Sequence, residues 1–199
     1  EDVLASPYCR NCDLWGAELI DPLVDEKNYV LVLSYTRSGS RQKVARMNVR
    51  NGSISKSVSV PPRTQQIVLD KNKRPRFAVS GNNAGDRLVH YRAVKEVEWS
   101  KVGQYPYPGG WIRPVGFNSD ESKALVLDSR DGGTEAVGFA DLRLQTVEYL
   151  YRDAMTDITG YDIDESDQIY AASTGIGKPR RTILDPDHPR VAALQRLEA

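Results

Sequence analysis

Short apolar runs recur along this chain in groups of four, and the groups repeat. After Gly109, "GWIRPVGF" (Gly110–Phe117) leads through the polar turn "NSDES" into "KALVLDS" (Lys123–Ser129). The loop "RDGGTE" then precedes "AVGFADL" (Ala136–Leu142) and "TVEYLYR" (Thr146–Arg152). One unit back, "TQQIVLD" (Thr64–Asp70), "PRFAVSG" (Pro75–Gly81), "RLVHYRA" (Arg87–Ala93) and "EVEWSKV" (Glu96–Val102) follow the same order. One unit forward come "DITGYDI" (Asp157–Ile163), "QIYAAST" (Gln168–Thr174) and "RRTILD" (Arg180–Asp185). At the front stand "AELIDPL" (Ala17–Leu23), "NYVLVLSY" (Asn28–Tyr35), "KVARMNV" (Lys43–Val49) and "SISKSVSV" (Ser53–Val60). The runs are rich in Val, Ile, Tyr, Phe and Thr and are broken by Gly, Asn, Asp and Pro, which is the signature of strands and turns. Asp70, Asn118 and Asp164 occupy matching turns 48 and 46 residues apart.

A four-stranded unit repeated at that period predicts an all-β fold, a β-propeller built from blades of antiparallel sheet. A sandwich of short strands also has frequent turns. The recurring loop character favours the propeller: a short acidic or amide turn after the first strand and a Gly-containing loop after the second. Three full units and most of a fourth fit into 199 residues. Propellers close with four to eight blades, so the sequence predicts an incomplete arc over residues 17–186, with a lead-in over 1–16. In the tail "DPDHPRVAALQRLEA", Val191, Leu194 and Leu197 fall on one helical face, which predicts a helical connector over 187–199.

Charge removes whole classes of function. Lys and Arg total 27, as do Asp and Glu. A nucleic-acid binder needs a basic excess to neutralise phosphates, so none is expected. A polybasic membrane anchor is excluded on the same ground. The longest apolar runs, such as "YVLVL" (Tyr29–Leu33), fall far short of the roughly 20 residues of a membrane span. The chain opens at Glu1 with no basic head and apolar stretch, so no signal peptide is read.

Chemistry-bearing motifs are few. Cys9 and Cys12 form a CxxC in "YCRNC". Such a pair serves as a redox site, half a zinc site, a tight disulfide or two idle thiols. Redox use wants a thioredoxin-like βαβ context, and zinc wants further ligands nearby; neither is visible. His90 and His188 are the only histidines, and no spacing places either beside a serine. "DIDESDQIY" (Asp162–Tyr170) has the alternating acids of a calcium loop without its Gly and closing Glu, and reads as a hairpin turn. "GIGKPRR" (Gly175–Arg181) lacks phosphate-loop spacing and reads as a solvated loop. No motif asks for a metal or a cofactor.

The most distinctive patch is "QYPYPGGW" (Gln104–Trp111). Prolines limit the entropy lost on binding and aromatics supply contact area, so Tyr105, Tyr107 and Trp111 are candidate peptide contacts. The competing reading has them filling the seam between blades. Arg113, on the strand that follows, is placed to line a central channel and meet a peptide carboxylate.

Several stretches resemble the N-terminal propeller of bacterial prolyl-oligopeptidase-family serine peptidases, of the acylaminoacyl-peptidase-like or dipeptidyl-peptidase-like kind. They are "AELIDPLVDEKNYVLVLSYTRSGSRQKVARMNVRNGSIS", "QQIVLDKNKRPRFAVS", "HYRAVKEVEWSKV", "RPVGFNSDESKALVLDSRDGG" and "DLRLQTVEYLYRDAMTDITGYDIDES". The family's "GFS-D" pattern appears here as "GFNSD", with Asn118 in place of Ser, and its "D-x-x-T" as "DLRLQT", with Thr146 two residues later than the pattern places it. The resemblance implies that an α/β-hydrolase domain follows the propeller in the same polypeptide, with a nucleophile in G-x-S-x-G. This chain contains no G-x-S-x-G, so no catalytic residue carries over. The implied role is a non-catalytic filter that admits short peptides, in a bacterial cytoplasm or periplasm. The alternative is a stand-alone scaffold that binds proteins or peptides. An open arc leaves blade faces uncovered, so self-association is expected under either reading.

Overall fold

The computed structural model describes residues 14–36 and 41–198. Cys9 and Cys12 lie outside the described residues. The chain divides into two compact units, Glu1–Gln104 and Tyr105–Ala199. The first unit holds two four-stranded antiparallel meanders. One runs β1 (Leu14–Asp21), β2 (Tyr29–Thr36), β3 (Gln42–Asn48) and β4 (Ile54–Val60). The other runs β5 (Thr64–Leu69), β6 (Pro75–Gly81), β7 (Arg87–Tyr91) and β8 (Ser100–Tyr105). The second unit holds β9 (Ile112–Phe117), β10 (Ala124–Asp128), β11 (Ala136–Ala140) and β12 (Val147–Arg152) in one meander. A three-stranded meander follows: β13 (Ile158–Ile163), β14 (Ile169–Thr174) and β15 (Arg180–Ile183). Helix α1 (Val191–Glu198) ends the chain. Among the described residues no helix is long and apolar enough to cross a membrane.

The predicted repeat is therefore the architecture. Its turns show why the chain folds this way. Asp70, Asn118 and Asp164 each take a backbone N–H on the side-chain oxygen: Asn72 N (2.9 Å), Lys123 N (2.8 Å) and Ser166 N (2.8 Å), respectively. Three residues on, Lys73 (φ 58°), Glu121 (φ 59°) and Asp167 (φ 62°) enter the left-handed region and donate back to the Asp or Asn carbonyl. Asp141 uses the same device between β11 and β12, with Leu144 at φ 60°. Short polar side chains that mimic a backbone turn set these hairpins locally, before any packing.

Central strands carry the core. All six residues from Pro75 to Ser80 are buried, as are all five of β10. Alternate residues of such a strand face opposite ways, so these strands are buried on both faces, and their polar members Arg76, Ser80 and Asp128 are held by side-chain bonds. Each buried Val, Leu or Ile is worth about 1.5–3 kcal/mol of transfer free energy. In the first unit Leu31, Leu33 and Val44 pack with Ile67 and Leu69, joining its two sheets. Gln42 strengthens that join, donating to the Thr64 carbonyl (3.0 Å) and accepting from its N–H (2.6 Å). In the second unit Leu125, Leu127 and Val137 pack with Ile158 and Ile169. The outer strands β4, β8 and β12 are less buried than the central ones, with one buried residue among them, Val60, which suits sheet edges.

The largest departures from the expected strand boundaries are at β1 and β8. Strand β1 opens at Leu14, inside the expected lead-in. Strand β8 covers 100–105 rather than 96–102, because Glu96 N closes a turn on Ala93 O and Val97 stands 82% exposed. The apolar face of α1 places Val191 and Leu194 against Tyr170, Ala171 and Ile183. The side chain of Leu197 lies outside the described set.

Candidate functional site

The segment between β8 and β9 is shaped by its prolines and glycines. Pro106 and Pro108 have no N–H to offer a ladder, so the chain cannot continue as strand. The Tyr107–Pro108 bond is cis. A Cβ on Gly110 would lie 2.0 Å from the Ser129 carbonyl oxygen, so only glycine fits. That close approach lets Ser129 N donate to the Trp111 carbonyl (3.0 Å) while Trp111 N donates to Ser129 Oγ (3.3 Å).

Tyr105, Tyr107, Trp111 and Arg113 have different fates. Tyr105 is half-buried; burial pushes its phenol upward, and its hydroxyl bonds the Arg130 guanidinium. Arg130 is itself committed. It holds Asp128, whose residue is fully buried, at 2.8 Å from Nη2 and 3.0 Å from Nε, and it donates to the Leu144 carbonyl at 2.9 Å. Tyr149 donates to the same carboxylate at 2.9 Å. Burial alone would raise the Asp128 carboxyl, but the bonds from Arg130 and Tyr149 outweigh it and hold the group below the usual range. Tyr107 projects with 66% exposure. Trp111 is partly buried and anchored through its backbone.

Arg113 on β9 reaches Glu135 at 3.5 Å, with its side chain 34% exposed. Glu135 is mostly buried, which raises its carboxyl, and Arg113 opposes the shift. The Glu135 N–H donates to Asp157 at 2.7 Å. Tyr161 on β13 stands within the field of Arg113, its phenol raised chiefly by burial. The pair is long, so Arg113 keeps donors for a further acceptor.

Three of the four candidates thus lean on one loop, 129–135. Ser129 holds the Trp111 backbone, Arg130 meets Tyr105 and Glu135 pairs with Arg113. Sequence reasoning took "RDGGTE" as a plain connection. Its alternating charges beside two glycines were the available signal.

The histidines correct one expectation. His90 does stand beside a serine: its Nε2 is 3.2 Å from Ser80 Oγ. Strands β6 and β7 pair antiparallel and set Ala78 against His90, which brings the ring near Ser80. Ser80 is 2% exposed in a central strand, so no substrate carbonyl reaches its hydroxyl. His188 accepts from Arg190 N on Nδ1 (3.2 Å), so its proton sits on Nε2 and is donated to Asp164 (3.2 Å). The acids of 162–170 act structurally: Asp164 also bonds Ser166 and Gln168, and Asp162 pairs with Arg181 at 2.9 Å. Arg180 pairs with Asp153.

No protein-family profile matches the chain, and no curated protein matches it. Solved structures do. TolB from Acinetobacter baumannii superposes with a TM-score of 0.52 at 10% identity, over 78% of this chain and 37% of TolB. The β-propeller domain of the Trilobed protease from Pyrococcus furiosus gives 0.47 at 12% identity, over 84% of this chain and 57% of that one. A prolyl endopeptidase gives 0.48 at 12%, over 83% and 26%. This chain spans well under two thirds of the length of each. At such identities the TolB likeness speaks for the fold alone, and with the four meandering sheets it establishes a β-propeller fold.

Proposed function

We propose that this chain is the non-catalytic propeller portion of a serine peptidase acting on short peptides, restricting access to a hydrolase domain elsewhere in the same polypeptide. The observation that carries the reading is the coincidence of sequence resemblance with fold. The stretches that resemble the peptidase propeller fall on the four sheets, and "GFNSD" and "DLRLQT" supply the repeated Asp/Asn turns at Asn118 and Asp141. Burial of Ser80 supports a hydrolytic nucleophile elsewhere in the protein. Tyr107, exposed beyond a proline-stiffened turn, and Arg113, with spare donors, suit contact with a peptide side chain and its carboxylate.

The reading frame that contains these 199 residues is the first test. It is expected to continue into G-x-S-x-G followed by Asp and His, and the whole protein is expected to label with a fluorophosphonate. A frame without that elbow overturns the peptidase reading. The scaffold reading then rests on Tyr107, and Tyr107→Ala should weaken peptide capture about threefold to tenfold, the loss of one aromatic anchor.

A further inference from the structure

A second site lies in the first unit, far in sequence from the aromatic segment. A cleft of about 340 Å³ opens between its two sheets. The floor is apolar, made by Leu23, Leu31, Val44 and Val58. Five cations stand around it, Arg46, Lys56, Lys73, Arg74 and Arg92, with Glu26 as the one lining carboxylate. We propose that this cleft binds a small organic carboxylate, its apolar body on the Leu/Val floor and its head among the cations.

The charge around the cleft is only partly compensated. Lys73 pairs with Asp21 at 2.8 Å. Asp70 is divided between Arg74 (2.7 Å) and Arg76 (3.5 Å). Arg46 pairs with Glu26. Lys56 has no carboxylate partner among the described residues. The Arg92 guanidinium donates to the Pro75 carbonyl, at 3.1 and 3.3 Å, has no carboxylate partner among the described residues, and lies over the Trp99 ring. Burial first, then the nearby Arg76 and Arg74, push the Arg92 guanidinium down, and Asp70 opposes them. Arg46 adds an unmet donor: its buried Nε has no acceptor, while its guanidinium lies 3.6 Å from the centroid of Tyr29. A fold that gathers more cations than acids over an apolar floor is stabilised when an anion joins them.

The fold builds this arrangement on purpose-like terms of geometry. Lys56 stands at φ 47° on β4, where the β3–β4 register slips between Val44 and Arg46. Bulges redirect side chains in this way. Lys73 and Arg74 sit on the Asp70 turn, and Arg92 follows β7. A guanidinium matches a planar carboxylate better than a tetrahedral anion, and an apolar floor gives inorganic phosphate nothing.

The test is an NMR titration of the chain with hexanoate, hexanol and inorganic phosphate. Hexanoate should shift the amides of Leu23, Val44 and Val58 saturably, with hexanol at least about tenfold weaker for want of the charged bonds. Lys56→Gln breaks no ion pair, so it should fold and bind hexanoate about threefold to tenfold more weakly. Arg92→Lys should keep the charge, lose the fork and fall between the two. Hexanol binding as tightly as hexanoate overturns the site. So do a folded Lys56→Gln with unchanged affinity, and phosphate binding at least as tightly as hexanoate.

Discussion

The two sheets of the second unit solve one problem in different ways. In the β9–β12 sheet a fourth strand closes the meander, with Ala136–Ala140 laddered to Val147–Arg152. Among the described residues the β13–β15 sheet has three strands. After β15 the chain bonds Leu184 and Asp185 back to the Tyr170 carbonyl, turns at His188 and enters α1. There the cover is apolar, from Val191 and Leu194, and one ring fixes its position. His188 stacks on Tyr170 at 4.4 Å between centroids and bonds Asp164. A ladder spreads its free energy over many backbone bonds, each modest and mutually reinforcing. A docked tail concentrates it in a few side chains, so it should be released by local change.

Substitutions in the two sheets should separate these modes. Leu125→Ala, in the middle of β10 at 1% exposure, should cost about 2–5 kcal/mol of global stability in urea unfolding. Gly110→Ala must displace the Ser129 backbone and should cost about 1–3 kcal/mol, with loss of Tyr105 and Trp111 order visible in near-UV spectra. His188→Ala should cost about 1–2 kcal/mol, read as faster amide exchange over 191–198 with β9–β12 protection unchanged. If β10 amides accelerate equally, the tail is not a separate element.

Acid should act on the docked tail through Asp164. The Ser166 hydroxyl first, then backbone N–H groups and His188, hold its carboxyl well below the usual aspartate range. A carboxyl depressed in the folded state stabilises above its unfolded pKa, near 4, and that stabilisation is lost as pH falls toward the folded value. Asp164→Asn should therefore be less stable than the parent at pH 7, with the gap narrowing below about pH 4. His90 has the opposite sign to a paired histidine. Burial, then Lys101, lowers it, so the folded state resists its proton and stability should fall as pH drops below about 6.5. His90→Gln should flatten that slope. The smallest effect belongs to Tyr107→Ala, which should move stability by less than about 0.5 kcal/mol.

The sequence by itself determined the repeat, the turns and the tail. Asp70, Asn118 and Asp164 act on their own neighbours, so their roles are written within a few residues, whereas Asp141, expected inside a strand, turns the chain after Ala140. Apolar runs such as "ALVL" (Ala124–Leu127) announce strands buried on both faces. The tertiary structure decided everything that joins residues distant in the chain. It set His90 beside Ser80 through the β6–β7 register, gave loop 129–135 to the partners of Tyr105, Trp111 and Arg113, and gathered Arg46, Lys56 and Arg92 around one cleft. A charged side chain reads as solvated in sequence whichever way it points. Only the pairing of strands fixes which cations meet an acid and which are left over, because that depends on register and twist rather than on neighbouring residues.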